Sequence, residues 1–167
     1  IWVKDYLSLS KLNSKTTVYG NLDKKDKPLL KNFKNINLKN IYIKKNISYT
    51  EKLYKECLIN NFKIIEIHNR PEYLNFLIKR NIKSKLIFFF HNNPQDIRGS
   101  KTINERLNIL ENTDKVFFVS AWTKKKFFEN LPFKTKSNCE ILYPSIDKQN
   151  IFYKNKKKQI VFTGKLN

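Results

Sequence analysis

Two histidines, His68 and His91, are the only ones in this chain of 167 residues, and they sit in matching contexts. Each ends an apolar run, is followed at once by asparagine, and has a proline three positions on: His68-Asn69-Arg70-Pro71 and His91-Asn92-Asn93-Pro94. An imidazole at a strand end can act as a general acid or base, or donate to a developing charge or a hydroxyl. It equally suits a structural role, closing the strand by hydrogen bonds to nearby backbone. Two histidines with no third ligand at suitable spacing do not close a metal site, so no metal is expected.

Ser120 follows another apolar run and opens a helical stretch. A helix start offers free backbone donors and the positive end of the dipole, which suits phosphate, although simple capping explains the serine as well. Arg70, Arg98 and Arg106 stand out in a lysine-rich chain, because a guanidinium recognises phosphate or carboxylate through a fork that lysine lacks. Lys124-Lys125-Lys126 beside Trp122 reads as a solvated helix face or as a membrane-touching basic and aromatic patch. The glycine fingerprints of phosphate loops and dinucleotide sites are absent, as is the G-x-S-x-G of hydrolases; the glycines are Gly20, Gly99 and Gly164.

These groups need strands that end together. Leu86-Ile87-Phe88-Phe89-Phe90 has no polar break and reads as a strand buried on both faces, ended before Pro94. Runs at 64–67 and 116–119 read as its neighbours. Helical signals separate them: a capping box at Ser48 and Glu51, Pro71 opening a helix with Tyr73, Leu74, Leu77 and Ile78 inward, and a second box at Thr102 and Glu105 with Ile103, Leu107 and Leu110 inward. After Ser120 a helix buries Phe127, Phe128 and Leu131. Further short strands are expected at 16–19, 41–43, 138–143 and 160–163, the tail of a helix over 1–12, and loop over 21–40. Alternating strand and helix predicts an α/β fold with a doubly wound parallel sheet, Rossmann-like, whose polar strand ends share the ligand-binding edge. His68, His91 and Ser120 then become neighbours.

The net charge is +20, with 40% hydrophobic residues, so the chain is globular rather than disordered. Lys, Asn and Ile are all abundant, so AT-rich codon usage accounts for part of the charge; attraction to an anionic partner is the other reading. Cys57 and Cys139 are far apart and expected to be core thiols in a reducing compartment. No stretch reaches membrane-spanning length and none has the pattern of a signal peptide, so a cytoplasmic location is expected. The chain lacks methionine, opens on Ile1 and closes on Asn167, which sets the expectation of an internal piece of a longer protein.

In order along the chain, IIEIHNRPEYL (64–74), KLIFFFHNNP (85–94), a Gly-Ser loop, Arg106, DKVFFVSAWTKKKF (114–127), ILYPSID (141–147) and IVFTGKLN (160–167) resemble the N-terminal half of family-4 glycosyltransferases of the GT-B fold. The resemblance covers residues 60–167. It implies an acceptor-side Rossmann-like domain over 1–147 lacking its first strand, a linker over 148–158, and the first strand of a nucleotide-sugar-binding domain over 159–167. The implied chemistry is retaining transfer of a sugar from a nucleotide-sugar to an acceptor hydroxyl, with no cofactor beyond that co-substrate, in cell-surface glycan or glycolipid synthesis. His91 matches the histidine near the reacting sugar and is the implied catalytic residue. His68, Asn69, Arg70, Asn92 and Ser120 fall on the acceptor side. Gly164 and Lys165 match the Gly-Arg that meets the donor diphosphate, with Lys keeping the charge and losing the fork. The paired-glutamate motif of the donor half is absent, so the chain is expected to be inactive alone. Implied partners are the nucleotide-sugar and a glycan or lipid-linked acceptor, with peripheral contact to the inner, anionic membrane face and no nucleic acid.

A competing reading is a non-enzymatic basic α/β module that binds anionic lipid or nucleic acid through its lysines and Trp122. Another Rossmann-like enzyme, such as an epimerase, is a third, disfavoured by the missing glycine fingerprint.

Overall fold

The computed structural model describes residues 3, 6–7, 10–22, 27–28, 30–36 and 45–144, with the side chains of 45–47 excepted. The expected strands at 41–43 and 160–163, the linker at 148–158, and Gly164 and Lys165 lie outside the described residues.

Six strands and four α-helices are described: β1 (Val18–Gly20), β2 (Phe33–Asn35), α1 (Lys45–Asn60), β3 (Ile64–His68), α2 (Pro71–Lys79), β4 (Lys85–Phe90), α3 (Ile103–Asn112), β5 (Lys115–Phe118), α4 (Ala121–Phe128) and β6 (Cys139–Ile141). Val3, Tyr6 and Leu7 are also helical. β1 and β2 form a parallel pair, and β3-β4-β5-β6 form a four-stranded parallel sheet in that order. The chain is therefore α/β with a Rossmann-like parallel sheet, as the alternation of strand and helix predicts.

Sequential order in one direction, with right-handed crossovers, puts α2, α3 and α4 on one face of the large sheet. That face is Ile65 and Ile67 of β3, Leu86, Phe88 and Phe90 of β4, Val116 and Phe118 of β5, and Cys139 of β6, all buried. Phe127 of α4 lies with its ring 5.1 Å from Phe90 and 5.2 Å from Phe118. Phe88, Phe90, Phe118 and Phe127 are fully buried, and each such ring contributes about 1.5–3 kcal/mol. On the opposite face Phe89 is buried too, with Tyr6 against it at 6.5 Å. β4 is thus covered on both faces, whereas β3 alternates and leaves Ile64 half exposed and Glu66 exposed.

Several local expectations change. The polar stretch 21–40 contains β2, held by parallel pairing of Phe33 with Val18. Ser48 lies inside α1, which begins three residues earlier at Lys45, so it does not cap that helix. Thr102 and Glu105 do form a reciprocal capping box, but α3 then turns Arg106, Ile109 and Leu110 inward and leaves Ile103 41% exposed. Within α2, Leu74 and Leu77 are fully buried while Tyr73 and Ile78 are only partly so. Asparagine replaces glycine at left-handed turns: Asn61 after α1, Asn69 between β3 and α2, Asn81 after α2, and Asn130 after α4 all have positive φ.

Candidate functional site at the C-terminal sheet edge

Parallel register sets His68 of β3 beside Phe89 of β4. His91 is the next residue but one, so both imidazoles emerge at the same end of adjacent strands. His68 Nδ1 lies 3.1 Å from His91 Nε2. The His68 ring stacks on Phe89 with centroids 4.5 Å apart and planes at 10°. Its Nε2 lies 3.8 Å from Glu66 Oε2 on the same strand face. Burial, and then the repulsion the two imidazoles would feel if both were protonated, pull the His91 pKa from 6.5 down to about 4. His91 is therefore a neutral imidazole at ordinary pH.

Asn69 locks the turn that joins these elements. Its left-handed backbone (φ 56) ends β3, its N–H donates to Phe89 O at 2.8 Å, and its Oδ1 accepts from His91 N at 3.3 Å. Arg70 is exposed and donates from NH1 to Asn69 O at 3.0 Å. Asn92 is exposed at the same edge. Ser120 also lies there, one strand over, because Val119 N bonds Phe90 O at 3.2 Å. Its Oγ accepts from Thr123 N at 3.1 Å and pairs with Thr123 Oγ1 at 2.9 Å. So His68 and His91 meet directly, Asn69 joins them, and Ser120 is committed to capping α4.

The loop after β4 forms a wall of this edge. It begins with a single 3₁₀ turn, Pro94–Asp96, in which Asn93 accepts from Gln95 N. Ser100, fully buried, donates to Pro94 O at 2.6 Å and closes the loop on itself. Gly99 (φ 90) packs against the first turn of α2, near Pro71 and Glu72. Arg98 reaches Glu72 at 2.9 Å. Arg106, 2% exposed, donates to Lys101 O at 2.7 Å and to Glu129 O at 2.9 Å. Gln95 donates to Lys126 O and to Glu129 Oε2. The fork of Arg106 thus serves internal carbonyls that fasten the loop to the end of α4, rather than an outside anion. Burial lowers its pKa.

Glu66, Gln95 and Glu129 carry parts of this arrangement that the motifs do not announce. The signal for Glu66 was its spacing of two from His68 in a strand, which places both on one face. Trp122 is 54% exposed beside exposed Lys125, while Phe127 and Phe128 behind them are core. Cys57 and Cys139 are free and buried, and burial pushes both thiols up to about 11. Among the described residues no group of three or more His, Cys, Asp or Glu is placed to hold a metal ion, and no helix is long and apolar enough to cross a membrane. A cavity of about 280 Å³ lined by Leu107, Leu110, Glu111, Phe133, Thr135 and Lys136 lies at the other end of the sheet. No protein-family model matches this chain, and neither does any curated protein or solved structure.

Proposed function

We propose that this chain is the acceptor-side domain of a retaining, nucleotide-sugar-dependent glycosyltransferase of GT-B architecture. The single observation that supports it most is the meeting of His68 and His91 at the C-terminal edge of a parallel sheet, the edge where open α/β sheets bind ligands. In the proposed reaction the bond from the anomeric carbon to the donor phosphate breaks and a bond to the acceptor oxygen forms. The acceptor's proton leaves with the departing phosphate. Positive charge develops on the sugar, and a neutral His91 can lie beside it and accept from a hydroxyl without repelling it.

Asn69, Arg70 and Asn92 supply the polar rim for a glycan or lipid-linked acceptor, while Ser120 orders the helix beside it. Gly164 and Lys165 meet the donor diphosphate in a following nucleotide-sugar-binding half, which makes residues 1–167 inactive alone. The site is cytoplasmic. Exposed Trp122 and the lysines of α4 rest on the anionic inner membrane face, each lysine near the surface adding about 1 kcal/mol. Transfer from a panel of nucleotide-sugars by a polypeptide extended through the donor half tests the reading. Transfer that persists at full rate in His91→Gln would count against it.

The exposed Trp122 and the +20 charge also favour a second reading, a basic module that binds anionic lipid or nucleic acid without catalysis. Binding of that kind weakens steeply with salt and is indifferent to sugar nucleotides.

A further inference from the structure

Glu66, His68 and His91 form a line of three groups running into the proposed site. Alternation along β3 places Glu66 and His68 on one face, and the stacked Phe89 ring limits rotation of the His68 imidazole. His68 presents Nε2 to the Glu66 carboxylate at 3.8 Å and Nδ1 to His91 Nε2 at 3.1 Å. The first separation is longer than a direct hydrogen bond and acts through charge. A neutral imidazole has one donor nitrogen and one acceptor. With the His68 proton on Nε2, a positive N–H edge faces the carboxylate, and the Nδ1 lone pair accepts from His91 Nε2–H. The opposite placement aims a lone pair at the carboxylate, which is unfavourable.

We propose that Glu66 and His68 are positioning residues that fix His91 as the tautomer protonated on Nε2, with its lone pair on Nδ1. Asn69 adds to this by holding the His91 backbone N–H through its Oδ1. His68 then works through His91 rather than on the acceptor itself. The functional consequence rests on the glycosyltransferase reading above; the tautomer is a property of the chain alone.

Long-range proton–nitrogen correlation spectra of the ¹⁵N-labelled 167-residue chain near neutral pH read the tautomer directly, without substrate. His91 should show a protonated Nε2 and an unprotonated Nδ1. A free imidazole already leans that way, so the discriminating variant is Glu66→Lys, at an exposed position. An ammonium there donates to His68 Nε2, reverses the hydrogen bond, and should move the His91 proton to Nδ1. His68→Phe, which removes the acceptor, should convert the single tautomer to a mixture. A wild-type His91 protonated on Nδ1, or a Glu66→Lys His91 that keeps the wild-type tautomer, overturns the proposal. Because no sugar transfer is measured, either result stands whether or not the chain belongs to a glycosyltransferase.

Discussion

Nδ1 of His68 and Nε2 of His91 stand 3.1 Å apart at the ends of adjacent parallel strands, across 23 positions of sequence. Burial of His91 beside a second imidazole disfavours its taking up an added proton.

That arrangement makes stability depend on pH in a defined window. Native His91 takes up its proton only near pH 4, against an ordinary value of 6.5 for an exposed histidine. Between those values the unfolded chain binds more protons, so this contribution is fully present above about 6.5 and falls away as pH drops toward about 4. Urea midpoints measured above and within that window should show the loss, and His91→Gln should reduce the slope. An unchanged slope in the variant would assign the effect to other groups.

Arg106 should be intolerant of a charge-preserving change. Arg106→Lys keeps the cation but cannot reach the carbonyls of Lys101 and Glu129 together. Leaving a buried acceptor unpaired costs about 1–3 kcal/mol. Urea denaturation should read a loss of that size, with faster amide exchange confined to the loop at 97–101. A variant as stable as the parent would mean the fork is dispensable.

Ser120 separates capping from acceptor binding. Ser120→Ala removes the bond from Thr123 N and should cost about 1 kcal/mol of stability. Ser120→Asn, a good cap without a hydroxyl, should restore most of it. If the alanine variant melts at the parent temperature, the cap contributes nothing measurable.

Gly99 occupies a left-handed position (φ 90) where an added Cβ would lie 3.0 Å from Glu72 N and 3.2 Å from Pro71 C. The Gly99→Ala change should therefore destabilise by about 1–2 kcal/mol from backbone conformation alone, with more from displacement of the α2 start. Thermal melts of the two proteins compare this directly; equal midpoints would show that the loop has another conformation open to it.

The sequence made β4 legible, because Leu86 to Phe90 has no polar break and only a doubly covered strand accommodates that. Thr102 and Glu105 were legible for a similar reason: the box satisfies its own donors and needs no tertiary partner. Ser48 and Glu51 have the same spacing, yet α1 starts upstream, so a local signal lost to the helix it was meant to begin. The α3 face was read in part: Leu110 is buried as expected, but Ile103 is exposed and Leu107 only partly buried, while Arg106 and Ile109 take the other inward positions. The inward face holds an arginine, whose burial depends on the carbonyl of Lys101 just before the helix and on that of Glu129 at the end of α4. β2 carries no signal beyond Phe33, since three residues paired at one edge need little propensity. For the site, matching His-Asn contexts marked the two strand ends. The two-residue spacing of Glu66 from His68 was a readable signal, whereas the contacts of Asn69 depend on a left-handed turn that only the folded chain fixes.

We propose that His91 belongs to a sugar-transfer site completed by a donor-binding half. The most direct measurement is sugar transfer from nucleotide-sugars by the polypeptide extended past Asn167 through that half, comparing the parent with His91→Gln. Transfer by the extended parent is expected, with none by residues 1–167 alone and a fall in kcat of about 10²–10⁴ in the variant. Transfer by the isolated chain, an unaffected His91→Gln enzyme, or no turnover of any nucleotide-sugar by the extended protein would contradict it.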